Sequence, residues 1–306
     1  MPIFSVVISV YNKAEYIKNT LNSVINQSFN DFEVIVVNDG SSDNSLEIIN
    51  SINDERISII TTENLGASMA RNKGIEASKS DFIALLDGDD YWDKNYLKTI
   101  YEAISNFPNQ NIFSVAIAQK YKNKIVPVNY SFKQIETFGI HNFFKSSKKY
   151  SLLSSSSVVF HKDIIKKTGK FDPSIVSGQD TDLWIRFGLH FDIVFINKQL
   201  VTYTYNTNSL SNTTFNLSQK PKFDNYRTYE KNNHLLKAYL DKNRYSMAIL
   251  SKFQNDIKSF EFYINNIDFY NLNTKQKLLL KSPLWCLKLL QKVKSIKGEK
   301  IYYRED

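Results

Sequence analysis

Apolar residues recur along the first ninety positions in two alternating rhythms. Ile3–Val10, Phe32–Val37, Ile57–Thr61 and Asp81–Leu86 are short apolar runs that predict strands, and the five apolar residues Phe82–Leu86 read as a strand buried on both faces. Between them the spacing lengthens. Glu15–Gln27 carries Ile17, Leu21, Val24 and Ile25, an i, i+4, i+7, i+8 stripe that predicts a helix. Ser42–Ile52, with Leu46, Ile48 and Ile49, and Gly66–Ser78 predict two more. Strand and helix alternate at intervals of about 20 to 30 residues, which is a βαβ progression and implies a parallel sheet. Beyond it the rhythm loosens. Ile112–Tyr121 and Lys124–Val128 suggest a hairpin, Ser155–Phe160 a strand, Asp182–Leu189 a helix, and Ile193–Ile196 and Leu200–Tyr205 two strands. After about Asn216 the chain reads as helical and polar, with no internal repeat and no low-complexity segment.

The chain has 306 residues, enough for one large α/β domain and an appendage. Its single cysteine, Cys286, excludes an internal disulfide framework and any cysteine-based zinc site, and fits a reducing compartment. No apolar run reaches the length needed to span a bilayer. The opening residues lack a basic region and a cleavage site, so they are expected to form a strand rather than a signal peptide. The net charge of +8 is unevenly placed: from Lys275 onward nine cations face three carboxylates, leaving that stretch at +6. Such a tail can meet nucleic acid, anionic lipid or water.

Candidate chemistry concentrates where the apolar run Phe82–Leu86 meets Asp87-Gly88-Asp89-Asp90. Crowded carboxylates at a strand end repel one another, and a bivalent cation with hard oxygen ligands relieves that repulsion. The open end of a parallel strand is also where α/β sheets bind ligands. The same residues read equally as an acidic turn, with Asp90 or Asp93 capping the next helix. Three further clusters fall at predicted strand or helix ends: Ser9-Val10-Tyr11-Asn12, Asn38-Asp39-Gly40-Ser41-Ser42-Asp43, and Gly178-Gln179-Asp180 before a helix. Singly, each reads as well as a turn or a cap.

Together, and in this order, Ile8-Ser9-Val10-Tyr11-Asn12, Val36-Val37-Asn38-Asp39-Gly40-Ser41-Ser42-Asp43, Asn64-Leu65-Gly66-Ala67-Ser68-Met69-Ala70-Arg71-Asn72, Leu86-Asp87-Gly88-Asp89-Asp90 and Gly178-Gln179-Asp180 resemble glycosyltransferase family 2. The resemblance covers about residues 1–211, is most specific over 1–95, clear over 151–190, and absent from the C-terminal third. It implies a GT-A fold, mainly a parallel Rossmann-like sheet flanked by helices, with a C-terminal helical appendage. The expected organisation is a catalytic domain over 1–215, divided into a nucleotide-binding half (1–95) and an acceptor-side half (96–215). A helical region over 216–306 follows.

The resemblance also implies roles. Ser9, Val10 and Tyr11 line the pocket of the nucleobase, Asp39 accepts the uracil N3–H, and Arg71 contacts the nucleotide. Asp87 faces ribose or sugar, Asp89 holds Mn²⁺ or Mg²⁺, and Asp90 supports the metal site or caps the next helix. Asp180 is the general base of an inverting transfer from a UDP-sugar to a glycan or lipid-linked glycan in surface polysaccharide, lipopolysaccharide or capsule synthesis. A dTDP- or GDP-sugar donor is the alternative. Two departures from the family stand out. Gln179 replaces the usual glutamate beside the base. The loop Tyr205-Asn206-Thr207-Asn208-Ser209-Leu210-Ser211 lacks the usual cation near the diphosphate.

Other function classes fit less well. A phosphohydrolase places its paired aspartates after the first strand, not the fourth. A sugar nucleotidylyltransferase needs a glycine- and lysine-rich loop where this chain has Tyr11-Asn12-Lys13-Ala14-Glu15. A non-catalytic nucleotide-sugar or carbohydrate binder has no use for Asp180. At the C-terminus, Ser282-Pro283 opens a predicted basic amphipathic helix over 283–297. Trp285, Cys286, Leu289, Leu290, Val293 and Ile296 lie on one face, and Lys288, Gln291, Lys292 and Ser295 on the other. Peripheral membrane contact, packing on the catalytic domain and a dimer contact are its three readings. No basic–aromatic motif points to nucleic acid. The expected location is the cytoplasm, at the inner face of the cytoplasmic membrane.

Overall fold

The computed structural model describes residues 1–121, 124–205 and 216–296, with side chains as far as Gln291. The described strands form one sheet, with residues 57–61, 32–38, 4–10, 82–87, 158–161, 112–121, 193–204 and 91–92 side by side in that order. Its parallel half comprises β1 (Phe4–Val10), β2 (Phe32–Asn38), β3 (Ile57–Thr61) and β4 (Phe82–Asp87). The helices α1 (Ile17–Ile25), α2 (Ser45–Asn50) and α3 (Ala67–Ala77) make the crossovers. Strands β1 and β4 present alternate residues to two cores. Val6, Ile8, Ala84 and Leu86 face one with Leu21, Val24 and Ile100; Val7, Ile83 and Leu85 face the other with Phe160, Trp184 and Phe187. That two-sided burial is why these strands read as unbroken apolar runs. Helix α3 lies close on β1, since a Cβ on Gly74 would meet Val7 Cγ1 at 2.3 Å.

The second half of the sheet is mixed. After β5 (Tyr91–Trp92) and α4 (Tyr96–Asn106), β6 (Ile112–Tyr121) and β7 (Lys124–Pro127) form the expected hairpin. Strand β8 (Phe138–His141) leads to the short α5 (Phe143–Ser146), and β9 (Val158–His161) runs antiparallel to both β4 and β6. After α6 (Ile165–Thr168) and α7 (Gln179–His190), the two strands expected over 193–205 form one strand, β10 (Ile193–Thr204). Its pairing with β6 shifts register between Ile196 and Gln199 and again between Gln199 and Val201. This bulge lets the apolar stretches on either side stay in the same sheet although polar residues separate them.

These directions bring five chain segments to one edge. Register pairs Val10 with Asn38 and Ser9 with Asp87, so β1, β2 and β4 end together. Antiparallel β9 begins at that edge, which places residues 154–157 there, and β10 ends there at Thr204.

The C-terminal region comprises α8 (Arg227–Glu230), α9 (His234–Phe253), α10 (Ile257–Asn265), α11 (Thr274–Lys281) and α12 (Leu284–Ile296). Helix α9 belongs to two cores. Leu236, Tyr239 and Leu240 pack into the sheet's second core, whereas Tyr245, Ala248 and Ile249 form a separate cluster with Ile267, Leu279, Leu280 and Leu287. A buried ion cluster ties these helices together. Arg244 donates to both carboxylate oxygens of Glu230 at 2.6 and 2.9 Å and to Asp241, which also receives Lys237 Nζ at 2.5 Å. Among the described residues, no helix is long and apolar enough to cross a membrane.

Candidate active site

The end of β1 and the loop after β2 are laced to each other. Asn12, at φ 51°, accepts the Ser42 N–H at 2.8 Å on its side-chain oxygen, and its own N–H donates to Ser41 Oγ. Lys13 N–H donates to Ser45 Oγ at 2.7 Å, and Ala14 N–H to Asp43. The serines and aspartate of Ser41-Ser42-Asp43 therefore serve the loop that follows β1. Within this rim Val10 is buried, Ser9 is half-buried and Tyr11 is 44% exposed at the mouth.

Asp39 is almost wholly buried and already engaged. Its Oδ1 accepts Thr62 Oγ1–H at 2.6 Å and Leu65 N–H at 2.7 Å, and its Oδ2 accepts Gly66 N–H at 2.8 Å. The carboxylate thus clamps the loop leading into α3. A carboxylate offers about four acceptor sites, so capacity for one further donor remains. Five residues on from Gly66, Arg71 is buried and donates from Nη2 to Asp87 Oδ1 at 2.5 Å, while among the described residues its Nη1 has no partner.

The three carboxylates after β4 have different partners. Asp87 is held by Arg71, and its N–H donates to Ser156 Oγ. Asp89 is ion-paired with the Lys13 ammonium. Asp90 is fully buried, accepting Ser156 Oγ–H at 2.5 Å and Thr204 N–H at 2.8 Å. It therefore caps no helix: α4 starts at Tyr96 with Asn95 at the N-cap, and Asp93 instead accepts Asn95 N–H. Asp90 joins the ends of β4, β9 and β10. Burial, then the charges of Asp89 and Asp87, push its carboxyl well above the usual range. Asp89 is also raised, chiefly by burial, with Lys13 opposing.

Among the described residues, no cluster of three His, Cys, Asp or Glu side chains is arranged to enclose a metal ion. With Asp87 and Asp90 committed elsewhere, Asp89 is the one carboxylate of the three that a cation can claim by displacing a lysine. Hard oxygen chemistry and repulsion from Asp87 both suit such an ion. The fit is to a site completed by ligand oxygens rather than to an all-protein cage. A cavity of about 300 Å³ opens beside Asp89, lined in part by Tyr16, Thr20, Tyr91, Lys120 and Thr204.

Asp180 occupies the first turn of α7, where the helix dipole favours a carboxylate. Its Oδ1 accepts Thr181 N–H at 2.8 Å. Burial raises its pKa, and the Arg71 guanidinium opposes that rise most strongly. Arg71 feels both Asp87 and Asp180, so the arginine links the end of β4 to the first turn of α7. The neighbouring Gln179 is buried, and among the described residues its Oε1 has no partner. Farther along α7, Asp182 is occupied by Arg186 and by Tyr226 O–H at 2.6 Å, a structural pairing that leaves Asp180 as the helix's carboxylate at the site.

The structure brings Ser9, Val10, Tyr11, Asp39, Arg71, Asp87, Asp89 and Asp180 to the one sheet edge. Sequence reasoning missed Lys13, Ser156 and Thr204. Lys13 meets Asp89 because β1 and β4 end side by side, whereas Ser156 and Thr204 depend on β9 and β10 arriving at that edge, and only the serine run near 154–157 gave a local hint. The segment Tyr205–Ser211, singled out for its missing cation, lies outside the described residues after Tyr205.

Comparison with known proteins agrees with this geometry. The sequence profile of Glycosyl transferase family 2 matches residues 5–169. Glycosyltransferase GlyA of Streptococcus pneumoniae is 29% identical over 68% of this chain, and the match spans 31% of GlyA's own length. The putative teichuronic acid biosynthesis glycosyltransferase TuaG of Bacillus subtilis is 28% identical over 78% of this chain and 92% of its own. Among solved structures, S. aureus TarS in complex with UDP-GlcNAc superposes with a TM-score of 0.70 at 20% identity. That superposition covers 88% of this chain and 82% of the TarS chain. The architecture shared with TarS is the GT-A fold.

Proposed function

The chain belongs to glycosyltransferase family 2, and we propose that it moves a sugar from a UDP-sugar to an acceptor hydroxyl with inversion at the anomeric carbon. The observation that carries this reading is the convergence of Asp39, Arg71, Asp87, Asp89 and Asp180 on the sheet edge where β1, β2 and β4 end. TarS binds UDP-GlcNAc, which supports a uridine donor, and TuaG's name supports an acceptor in surface polysaccharide synthesis.

In this reading the spare acceptor site of Asp39 takes the pyrimidine N3–H, and Tyr11 walls the base. The free Nη1 of Arg71 donates to a donor oxygen, while Nη2 keeps Asp87 aligned with ribose or sugar. Asp180 accepts the proton of the attacking hydroxyl as the bond to the anomeric carbon forms. The bond to the diphosphate breaks in the same displacement, so no covalent enzyme intermediate is needed. Its raised pKa makes it a stronger base than a solvated aspartate. Asp89 would hold Mg²⁺ or Mn²⁺ together with diphosphate oxygens, and the ion would supply charge stabilisation to the leaving group.

The C-terminal helix supports placement at a membrane face. It docks through buried Leu287, not through the apolar face expected from its periodicity, and leaves Trp285 68% and Leu289 58% exposed beside exposed Lys288. An interfacial tryptophan among lysines suits an anionic bilayer surface where a lipid-linked acceptor sits.

A panel of nucleotide sugars tests the assignment, scored by donor hydrolysis and thermal shift with Mn²⁺ and again with EDTA. A UDP-sugar should be preferred, with activity lost in EDTA and in Asp89→Ala. Absence of any nucleotide-dependent stabilisation would overturn it, and unchanged turnover in EDTA would remove the metal.

A further inference from the structure

The backbone that delivers Asp180 is held by a turn some forty residues later in the chain, roughly one helix and one strand away. Residues 175–178 lie along the turn Leu217–Gln219. The Gln219 carbonyl accepts Val176 N–H at 3.0 Å and Ser177 N–H at 3.2 Å. Lys220 follows, and its Nζ donates to Ser177 Oγ at 2.8 Å. Pro221 then closes on Gly178, the N-cap of α7: a Cβ there would lie 3.0 Å from Pro221 Cδ, and its φ of +87° already favours glycine. These consecutive contacts fix the chain immediately before the turn that carries Asp180.

Lys220 does not behave as an ordinary surface lysine. It is 7% exposed, and among the described residues its hydrogen bond goes to a neutral hydroxyl and no carboxylate lies within ion-pair distance. A buried ammonium without a counter-ion is costly, and burial pulls its pKa down. The charge that offsets this is Asp180. The titratable and charged groups facing Asp180 are Arg71 from α3, Asp87 from β4, Tyr203 from β10 and Lys220 from the turn. Arg71 exerts the stronger pull on Asp180 but is hydrogen-bonded to Asp87. Lys220 is the cation here whose charge has no other carboxylate to answer.

We propose that Lys220 is a positioning residue for Asp180: through Ser177 it fixes the entry to α7, and through its ammonium it supplies the counter-charge to the Asp180 carboxylate. This rests on the reading of Asp180 as the base. The C-terminal segment thereby completes the catalytic site.

The test is a carbon NMR titration of the full chain labelled with [¹³Cγ]aspartate, with the Asp180 resonance identified by its loss in Asp180→Asn. Lys220→Met should raise the Asp180 midpoint above the wild-type value, because a cation near the carboxylate is lost. Lys220→Arg should hold it near the wild-type value, which loss of a merely structural contact would not do. Should Lys220→Met fail to fold, Lys220→Gln keeps a donor for Ser177 Oγ and should give the same rise. An unmoved midpoint in the uncharged variant, with Asp180→Asn inactive, would overturn the proposal alone. Wild-type transfer by Asp180→Asn would overturn it together with the reading of the base.

Discussion

Replacing Lys13 with alanine should tighten the binding of Mn²⁺ to the nucleotide-free enzyme. Lys13 Nζ is bound to Asp89 Oδ2, the oxygen that a metal ion at Asp89 has to claim. The two side chains are 21% and 13% exposed, so the pair lies between a solvated surface bridge and a fully buried one. Breaking such a contact costs about 1 to 2 kcal/mol, and the ion must meet that cost in the wild type. Removing the lysine should therefore strengthen Mn²⁺ binding by about 5- to 30-fold at 1.4 kcal/mol per decade. The free Mn²⁺ signal in electron paramagnetic resonance titrations, at fixed ionic strength and without nucleotide, reads this directly. With metal removed by EDTA, UDP binding should move the other way and weaken, because the displaced ammonium then faces the diphosphate. Mn²⁺ affinity unchanged or weaker in Lys13→Ala would refute the competition.

Asp39→Asn should lower UDP affinity at least about tenfold by calorimetry, since an amide N–H would oppose a donor at Gly66 or the base; tighter binding of GDP than of UDP by the wild type would show that the base is misassigned. Arg244→Met removes the bidentate partner of Glu230 and one of the two cations on buried Asp241, and should destabilise the chain by about 3–5 kcal/mol in urea unfolding; a loss under about 1 kcal/mol would show that the cluster is solvated. The full chain should float with anionic vesicles at low salt and release at high salt, each lysine adding about 1 kcal/mol near the surface. Trp285→Ser with Leu289→Ser should abolish flotation while sparing buried Leu287; equal behaviour of the two proteins would assign the helix to packing or self-association.

The parallel half of the sheet was legible because β1, β2 and β4 are buried on both faces and the flanking helices on one. Continuous runs and 3.6-residue stripes then appear undisguised, and β1 to β4 fall within a residue or two of expectation. Later elements were harder. Strand β10 is split in the sequence by the exposed residues of its bulge, and β5 and β8 are too short to show a period. At the site, carboxylate positions were readable from motif order, but their partners were not. Nothing local to Asp90 announces that it binds Ser156 and Thr204, and nothing near Asp39 shows a clamp on Leu65 and Gly66. Such bonds depend on which strand ends share an edge, which is a property of sheet order. Helix α12 shows the opposite error: its periodicity was real, but the residue that docks, Leu287, lies off the expected face.

The central claim is that Asp180 takes the acceptor's proton, and transfer by Asp180→Asn compared with wild type tests it most directly. Each protein should be assayed at saturating donor, with donor affinity measured separately and the wild-type rate followed against pH. Because burial raises the Asp180 pKa and the base must be ionised, the wild-type rate should fall with decreasing pH on a limb above the ordinary aspartate value of about 3.9. Asp180→Asn should lose about 10²- to 10⁴-fold in turnover with donor affinity nearly intact. Donor affinity falling as far as turnover, or turnover surviving the substitution, would contradict the account.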